Sequence, residues 1–171
     1  MKSSVVWEEQ ERCNAFQHYN VKPDIITTAK ALGCGVPVGA FVAGEKCCDS
    51  LVPGDHGTTY GGNPLATAAV SKVFDLFEEM NILEHVNEVS NYLEEQLDKL
   101  VEQYDNVVAR RGKGLMQGLV LTTPVIDTVN KAIDKGLLVI SAGSDVLRMV
   151  PPLVITKENV DEMIEILSQC L

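Results

Sequence analysis

The stretch that decides the fold is Lys22-Pro23-Asp24-Ile25-Ile26-Thr27-Thr28-Ala29-Lys30-Ala31-Leu32-Gly33-Cys34-Gly35-Val36-Pro37-Val38-Gly39-Ala40. Asp24 to Thr28 is a β-branched run behind a proline, and Val38 to Ala43 is a second apolar run, so the pattern predicts two short strands flanking a loop from Lys30 to Pro37. Gly33, Gly35 and Gly39 make that loop compact. An arbitrary lysine is a solvated surface charge. Lys30 has a different setting: its neighbours on both sides are apolar or small, and no other charge is nearer than Asp24. An ammonium held against apolar surface has a lowered pKa, and a lysine amine so desolvated is a good Schiff-base former.

Working outward, Met1 to about Asn20 shows no clean period and supports no assignment. A second glycine-rich loop, Pro53 to Gly62, ends at Asn63-Pro64, where asparagine can cap and proline can take the first helical position. A helix to about Glu79 is expected. Asn81 and Glu84 then read as a capping box, and Leu83, Val86, Val89 or Ser90, Leu93, Leu97, Leu100 or Val101 and Tyr104 form the apolar stripe of a long helix. Beyond Asp105, strand-like Val107 to Ala109 and Leu115 to Leu121 precede a helix opening at Thr123-Pro124 and stopped at Lys135-Gly136. Leu137 to Ile140 and Val146 to Met149 read as two more strands. Thr156 caps a last amphipathic helix carrying Val160, Met163, Ile164 and Leu167. The region from about residue 80 onward is thus an α+β unit, with no internal repeat or low-complexity tract.

Composition narrows the class. A chain of 171 residues with 46% hydrophobic and 22% charged residues can bury a real core. With 24 acidic against 14 basic residues the net charge is -10. That field repels nucleic acid and anionic membrane, so neither is an expected partner. Cys13, Cys34, Cys47, Cys48 and Cys170 form an odd set without CxxC spacing, which fits a reduced, cytoplasmic chain. No apolar stretch is long enough for a signal peptide or a membrane span, and no histidine pair has metal-ligand spacing.

Three further places invite chemistry. His56-Gly57-Thr58-Thr59-Tyr60-Gly61-Gly62-Asn63-Pro64 reads on its residues alone as a capping loop, although its hydroxyls and glycine-exposed N–H groups would suit a phosphate. Arg148 is one of four arginines and stands in the apolar run Val146 to Leu153. It either pairs with an internal carboxylate or offers its planar fork to a bound one, and the residues alone leave both open. Arg110-Arg111-Gly112-Lys113-Gly114-Leu115-Met116-Gln117-Gly118 is too short a basic cluster to act as a nucleic-acid patch against the acidic total charge, and it reads as structural. Cys34 has no neighbouring cation or histidine to activate it and reads as a small packing residue.

The Lys22–Ala40 segment closely resembles the cofactor-lysine region of the class III aminotransferases, and His56–Pro64 looks like that family's second motif. The likeness runs from about Ala15-Phe16-Gln17-His18-Tyr19 to Leu171. Within the family it leans, through Ser141-Ala142-Gly143-Ser144-Asp145-Val146-Leu147-Arg148, toward the acetylornithine branch; ornithine, 4-aminobutyrate and succinylornithine aminotransferases share most of the other motifs. The resemblance implies that Lys30 holds pyridoxal 5'-phosphate and then carries the proton between substrate and cofactor. It implies that Thr59, and with it Thr58, contacts the cofactor phosphate across a homodimer interface, and that Arg148 binds the substrate α-carboxylate. The implied reaction moves an amino group from an amino acid, N-acetylornithine in the acetylornithine branch, to the 2-oxo acid 2-oxoglutarate, as in arginine biosynthesis.

The implied fold class is α/β, that of fold type I pyridoxal-phosphate transferases, present in part. Residues 1–62 would be a remnant of the large cofactor domain, and residues 63–171 the linking helices and a C-terminal α+β small domain. Family members are more than twice this length. Upstream they carry a glycine-containing phosphate loop, an aromatic that stacks on the cofactor ring and an aspartate that keeps the pyridine nitrogen protonated. None of these is present in the 171 residues, and Trp7-Glu8-Glu9-Gln10 does not match the aspartate motif. A protonated ring is what makes this cofactor a strong electron sink, so loss of the aspartate should cripple transamination. Two hypotheses follow: a section of an aminotransferase, or a fragment without catalysis of its own. The first two strands should also present unpaired edges.

Overall fold

The computed structural model describes Phe16 and residues 19–171. The chain divides into two units, the first ending at Ile82 and the second covering Leu83–Leu171.

In the first unit the β-branched run forms β1 (Ile25–Thr28), which pairs antiparallel with β2 (Ala40–Ala43) in the register Ile25 opposite Ala43 to Thr28 opposite Ala40. Each strand thus finds a partner in the other along one edge. Between them the chain makes a tight 3-10 turn, Lys30–Gly33, whose Leu32 and Gly33 are buried. Asn63 then caps α1 (Pro64–Glu79): its side chain accepts from the Ala66 N–H at 3.0 Å, and Pro64 takes the first turn, where no N–H is needed. Ala66 and Val73, seven residues apart, are the buried positions of α1, and the helix packs against the Lys30 turn. Asn81 adopts a left-handed backbone (φ 49°) and donates its N–H to the Glu78 carbonyl at 3.1 Å, closing α1.

The second unit is a four-stranded antiparallel sheet with helices. After α2 (Ile82–Gln103) come β3 (Val107–Lys113), β4 (Met116–Leu121), α3 (Val125–Asp134), β5 (Ile140–Ala142), β6 (Val146–Met149) and α4 (Lys157–Ser168). The sheet order is β3-β4-β6-β5. The expected stripe on α2 is the one that packs: Val86, Val89, Ser90, Leu93, Leu97 and Leu100 are all buried, with Leu93 and Leu97 wholly so. They share the core with Leu119, Leu147 and Leu167. Thr156 caps α4 in a reciprocal capping box with Asn159. Lys157 to Glu88 at 2.6 Å and the His85 ring nitrogen to the Ile155 carbonyl at 2.9 Å tie α4 and its approach to α2.

The fifth expected strand is displaced. Leu137 to Ile140 reads as a strand, but the Leu137 N–H bonds the Ala132 carbonyl at 2.9 Å and Gly136 turns through φ 87°, so residues 137–139 finish the helix exit. Pairing with β6 starts at Ile140 and runs to Ala142. Hydrogen bonds to the helix end win over β propensity, which is weak without a ladder partner.

Candidate functional site

Lys30 opens the turn after β1 with a left-handed backbone, φ 57°, uncommon for any residue other than glycine. Ala29 before it is extended, and Cys34 at the far end is again left-handed at φ 44°, donating its N–H to the Ala31 carbonyl at 3.1 Å. The backbone thus takes the left-handed conformation twice within five residues. Held backbone outliers of this kind concentrate at ligand sites. Gly33 is needed for closeness: a Cβ there would lie 2.6 Å from Val38 Cγ1.

Lys30 lines an open pocket of about 380 Å³ together with Ala31, Gly35, Val36, Pro37 and Val38. It makes no hydrogen bond or ion pair with the described residues. Asp24, the nearest charge in sequence, is taken by Lys46 at 3.0 Å. Burial against apolar surface, expected from the flanking residues, does not occur, and Lys30 is exposed. The buried residues of the turn are Leu32 and Gly33, whereas Ile25, Phe41 and Val42 on the β1–β2 ribbon are about half exposed and none of the described layers covers Lys30 itself. Cys34 is likewise exposed instead of packed, because it terminates the turn on its outer side.

The second loop is local and hydroxyl-rich. Thr58 Oγ1 accepts from the Gly61 N–H at 3.2 Å, and a Cβ at Gly61 would strike the Thr58 methyl at 2.1 Å. Asn63 Nδ2 donates to the Tyr60 carbonyl at 2.8 Å, so the loop is stapled to the α1 cap from both ends. Thr59 is exposed, and its hydroxyl has no partner among the described residues. His56 is exposed and equally unpartnered there.

Arg148 sits on the central strand β6, which alternates half-buried Val146 and Arg148 with buried Leu147 and Met149. Its Nε is buried and has no hydrogen-bond partner. Of the two roles open for an isolated cation in an apolar strand, pairing with an internal carboxylate is not realised among the described residues. Arg110 shows the contrast: it is held by Asp98 at 2.7 Å and Glu94 at 3.3 Å, and that hydrogen bond to Asp98, with the two carboxylate charges, pushes its pKa up. Lys30, Thr58 and Thr59 lie in the first unit and Arg148 in the second.

One polar group escapes a sequence reading. Thr28 Oγ1, two residues before Lys30, is buried without a partner, and in the sequence it is merely one more β-branched strand former. Among the described residues no group of histidine, cysteine and carboxylate side chains could hold a metal ion, and no helix is long and apolar enough to cross a membrane.

These elements have counterparts in known proteins. The class-III aminotransferase profile matches residues 12–171. The acetylornithine aminotransferase of Aquifex aeolicus is 46% identical over 157 residues, a span that is 92% of this chain and 40% of that protein. The crystal structure of acetylornithine aminotransferase from Elizabethkingia anophelis superposes with a TM-score of 0.86 at 31% identity, covering 93% of this chain and 41% of the other. Ornithine delta-aminotransferase of Plasmodium falciparum gives 0.86 at 33%, covering 93% and 42%. The chain belongs to the class-III aminotransferase family, and its fold is part of the α/β architecture of fold type I transaminases. It spans about 40% of the length of the relatives it matches.

Proposed function

We propose that this chain is the C-terminal section of a pyridoxal-phosphate-dependent aminotransferase acting on N-acetylornithine and 2-oxoglutarate, in the cytoplasm and as a homodimer. Residues 1–62 would be part of its large cofactor domain, and residues 63–171 its linking helices and small domain. The observation that carries the reading is Lys30: an unpaired amine, on a left-handed backbone, at the wall of an open pocket. Among the described residues nothing competes for it, since Asp24 is engaged by Lys46.

The residues present fit the group. Lys30 would hold pyridoxal phosphate through its Nζ and, once released, carry a proton to and from the substrate carbon. The Thr59 hydroxyl, free of internal bonds, and the open backbone at Gly57 and Gly62 would take the phosphate, with Thr58 shaping the loop through Gly61. Arg148, whose buried Nε lacks a partner, would take a substrate carboxylate, because an unsatisfied buried donor is costly and a bidentate carboxylate satisfies it. The cofactor supplies the electron sink when bound; the protein supplies position and proton transfer.

The span of the chain favours a second statement about the isolated polypeptide. With 40% of its relatives' length, and with no aspartate for the pyridine nitrogen in its sequence, it should bind cofactor weakly and not turn over alone. The test is to titrate the chain with pyridoxal phosphate and follow the visible absorption of the bound cofactor. The band should be lost in Lys30→Ala, and a band unaltered by that substitution overturns the role of Lys30. Turnover of N-acetylornithine with 2-oxoglutarate by the 171 residues alone would overturn the statement that they are not an active unit.

A further inference from the structure

Cys47 and Cys48 are adjacent in the chain and open a short 3-10 turn, Cys48–Ser50, just past the end of β2. Both thiols are free; Cys47 is half-buried and Cys48 exposed. Each donates to a main-chain carbonyl, Cys47 Sγ to Asp24 at 3.2 Å and Cys48 Sγ to Glu45 at 3.4 Å. The Asp24 carbonyl also takes the Gly44 N–H, at 2.6 Å. One oxygen at the entry to β1 thus clasps the end of β2 and the cysteine turn together. A thiol is a weak donor, so the Cys47 half of that clasp is released at little cost.

Two adjacent thiols have few stable outcomes. Neighbouring Cα atoms stand about 3.8 Å apart across a trans peptide, short of the roughly 4.4–6.8 Å of an unstrained disulfide, so joining the two sulfurs directly closes a strained ring. Zinc asks for four ligands, and among the described residues no group of three or more histidine, cysteine and carboxylate side chains could hold a metal ion. Neither thiol is set up as a catalytic nucleophile: Lys46, the adjoining cation that would favour a thiolate, is paired with the Asp24 carboxylate at 3.0 Å. What suits the geometry is a single soft atom placed between the sulfurs. It lengthens the link, takes both thiolates and brings its own remaining substituent.

We propose that Cys47 and Cys48 form a dithiol capture site for monosubstituted trivalent arsenicals, soft thiophiles that need two sulfurs and no other protein ligand. The bonding between arsenic and its oxygen breaks and two arsenic–sulfur bonds form. The two thiol protons leave with that oxygen as one water, and arsenic stays trivalent throughout. Closing the chelate withdraws Cys47 from Asp24, so uptake opens the clasp at the head of β1. The site uses no residue of the Lys30 pocket and stands whether or not Lys30 holds the cofactor.

The full chain is titrated with phenylarsine oxide; the adduct is weighed by intact mass spectrometry and mapped on peptides. One phenylarsenic group should be found on the Cys47-Cys48 peptide, both thiols consumed and one water lost. Cys47→Ser and Cys48→Ser should each weaken uptake about a hundredfold, the scale by which a short link between two weak sites raises avidity. Serine keeps the hydroxyl donor for Asp24 or Glu45, so the turn itself is retained. Cys13→Ser, Cys34→Ser and Cys170→Ser should leave uptake unchanged. In a ¹⁵N-labelled chain the Gly44 amide, bonded to the same carbonyl as Cys47, should shift on uptake. An adduct mapped to another cysteine, or equal affinity in either serine variant, overturns the dithiol site. A Gly44 amide that stays in place as the adduct forms overturns the opening of the clasp.

Discussion

The two units treat their apolar residues in opposite ways. In the second, Leu93, Leu97, Leu119, Leu147 and Leu167 are all fully buried, and helices and sheet close one core. In the first, the buried apolar set is short, Leu32, Ala66, Val73 and Ile82, while Phe41 is 50% exposed, Leu65 74% and Tyr60 81%. The unit with a self-sufficient core carries Arg148, the proposed carboxylate binder; the unit with Lys30, the proposed cofactor lysine, leaves much of its apolar surface exposed. The Lys30 turn is shaped by local features, a left-handed residue at each end and Gly33 against Val38, and these survive thin packing because they need only nearest neighbours.

Substitutions should break or sharpen this contrast. The largest effect is expected at Leu97→Ala, which empties a fully buried position on α2; urea denaturation should show a loss of about 2–5 kcal/mol for the second unit. A loss under 1 kcal/mol would mean that the core is looser than its burial implies. Phe41→Ser, on the ribbon that flanks the Lys30 turn, should change the stability of the same polypeptide by no more than about 0.5 kcal/mol, because the side chain is already half solvated. A large loss there would show that the ribbon is covered.

Much of the fold is legible along the chain. The α2 stripe, the Asn63-Pro64 and Thr156 caps and the strands around Lys30 rest on local periodicity and capping chemistry, which sequence carries directly. The slip of β5 to Ile140–Ala142 is not legible, because it depends on how far the α3 exit consumes backbone groups before the ladder with β6 begins. The site divides along the same line. An isolated Arg148 in an apolar strand announces itself, and so does the Lys30 segment. The exposure of Lys30 does not, since desolvation is set by what other elements lay over the turn.

The claim on which the rest depends is that Lys30 is the cofactor lysine. It is tested most directly by incubating the chain with pyridoxal phosphate, reducing with borohydride and locating the phosphopyridoxyl group by peptide mass spectrometry. Ten lysines compete for the label, and the account predicts that at low cofactor concentration it is found on Lys30. Label spread evenly over the surface lysines, or concentrated on another of them, would contradict it.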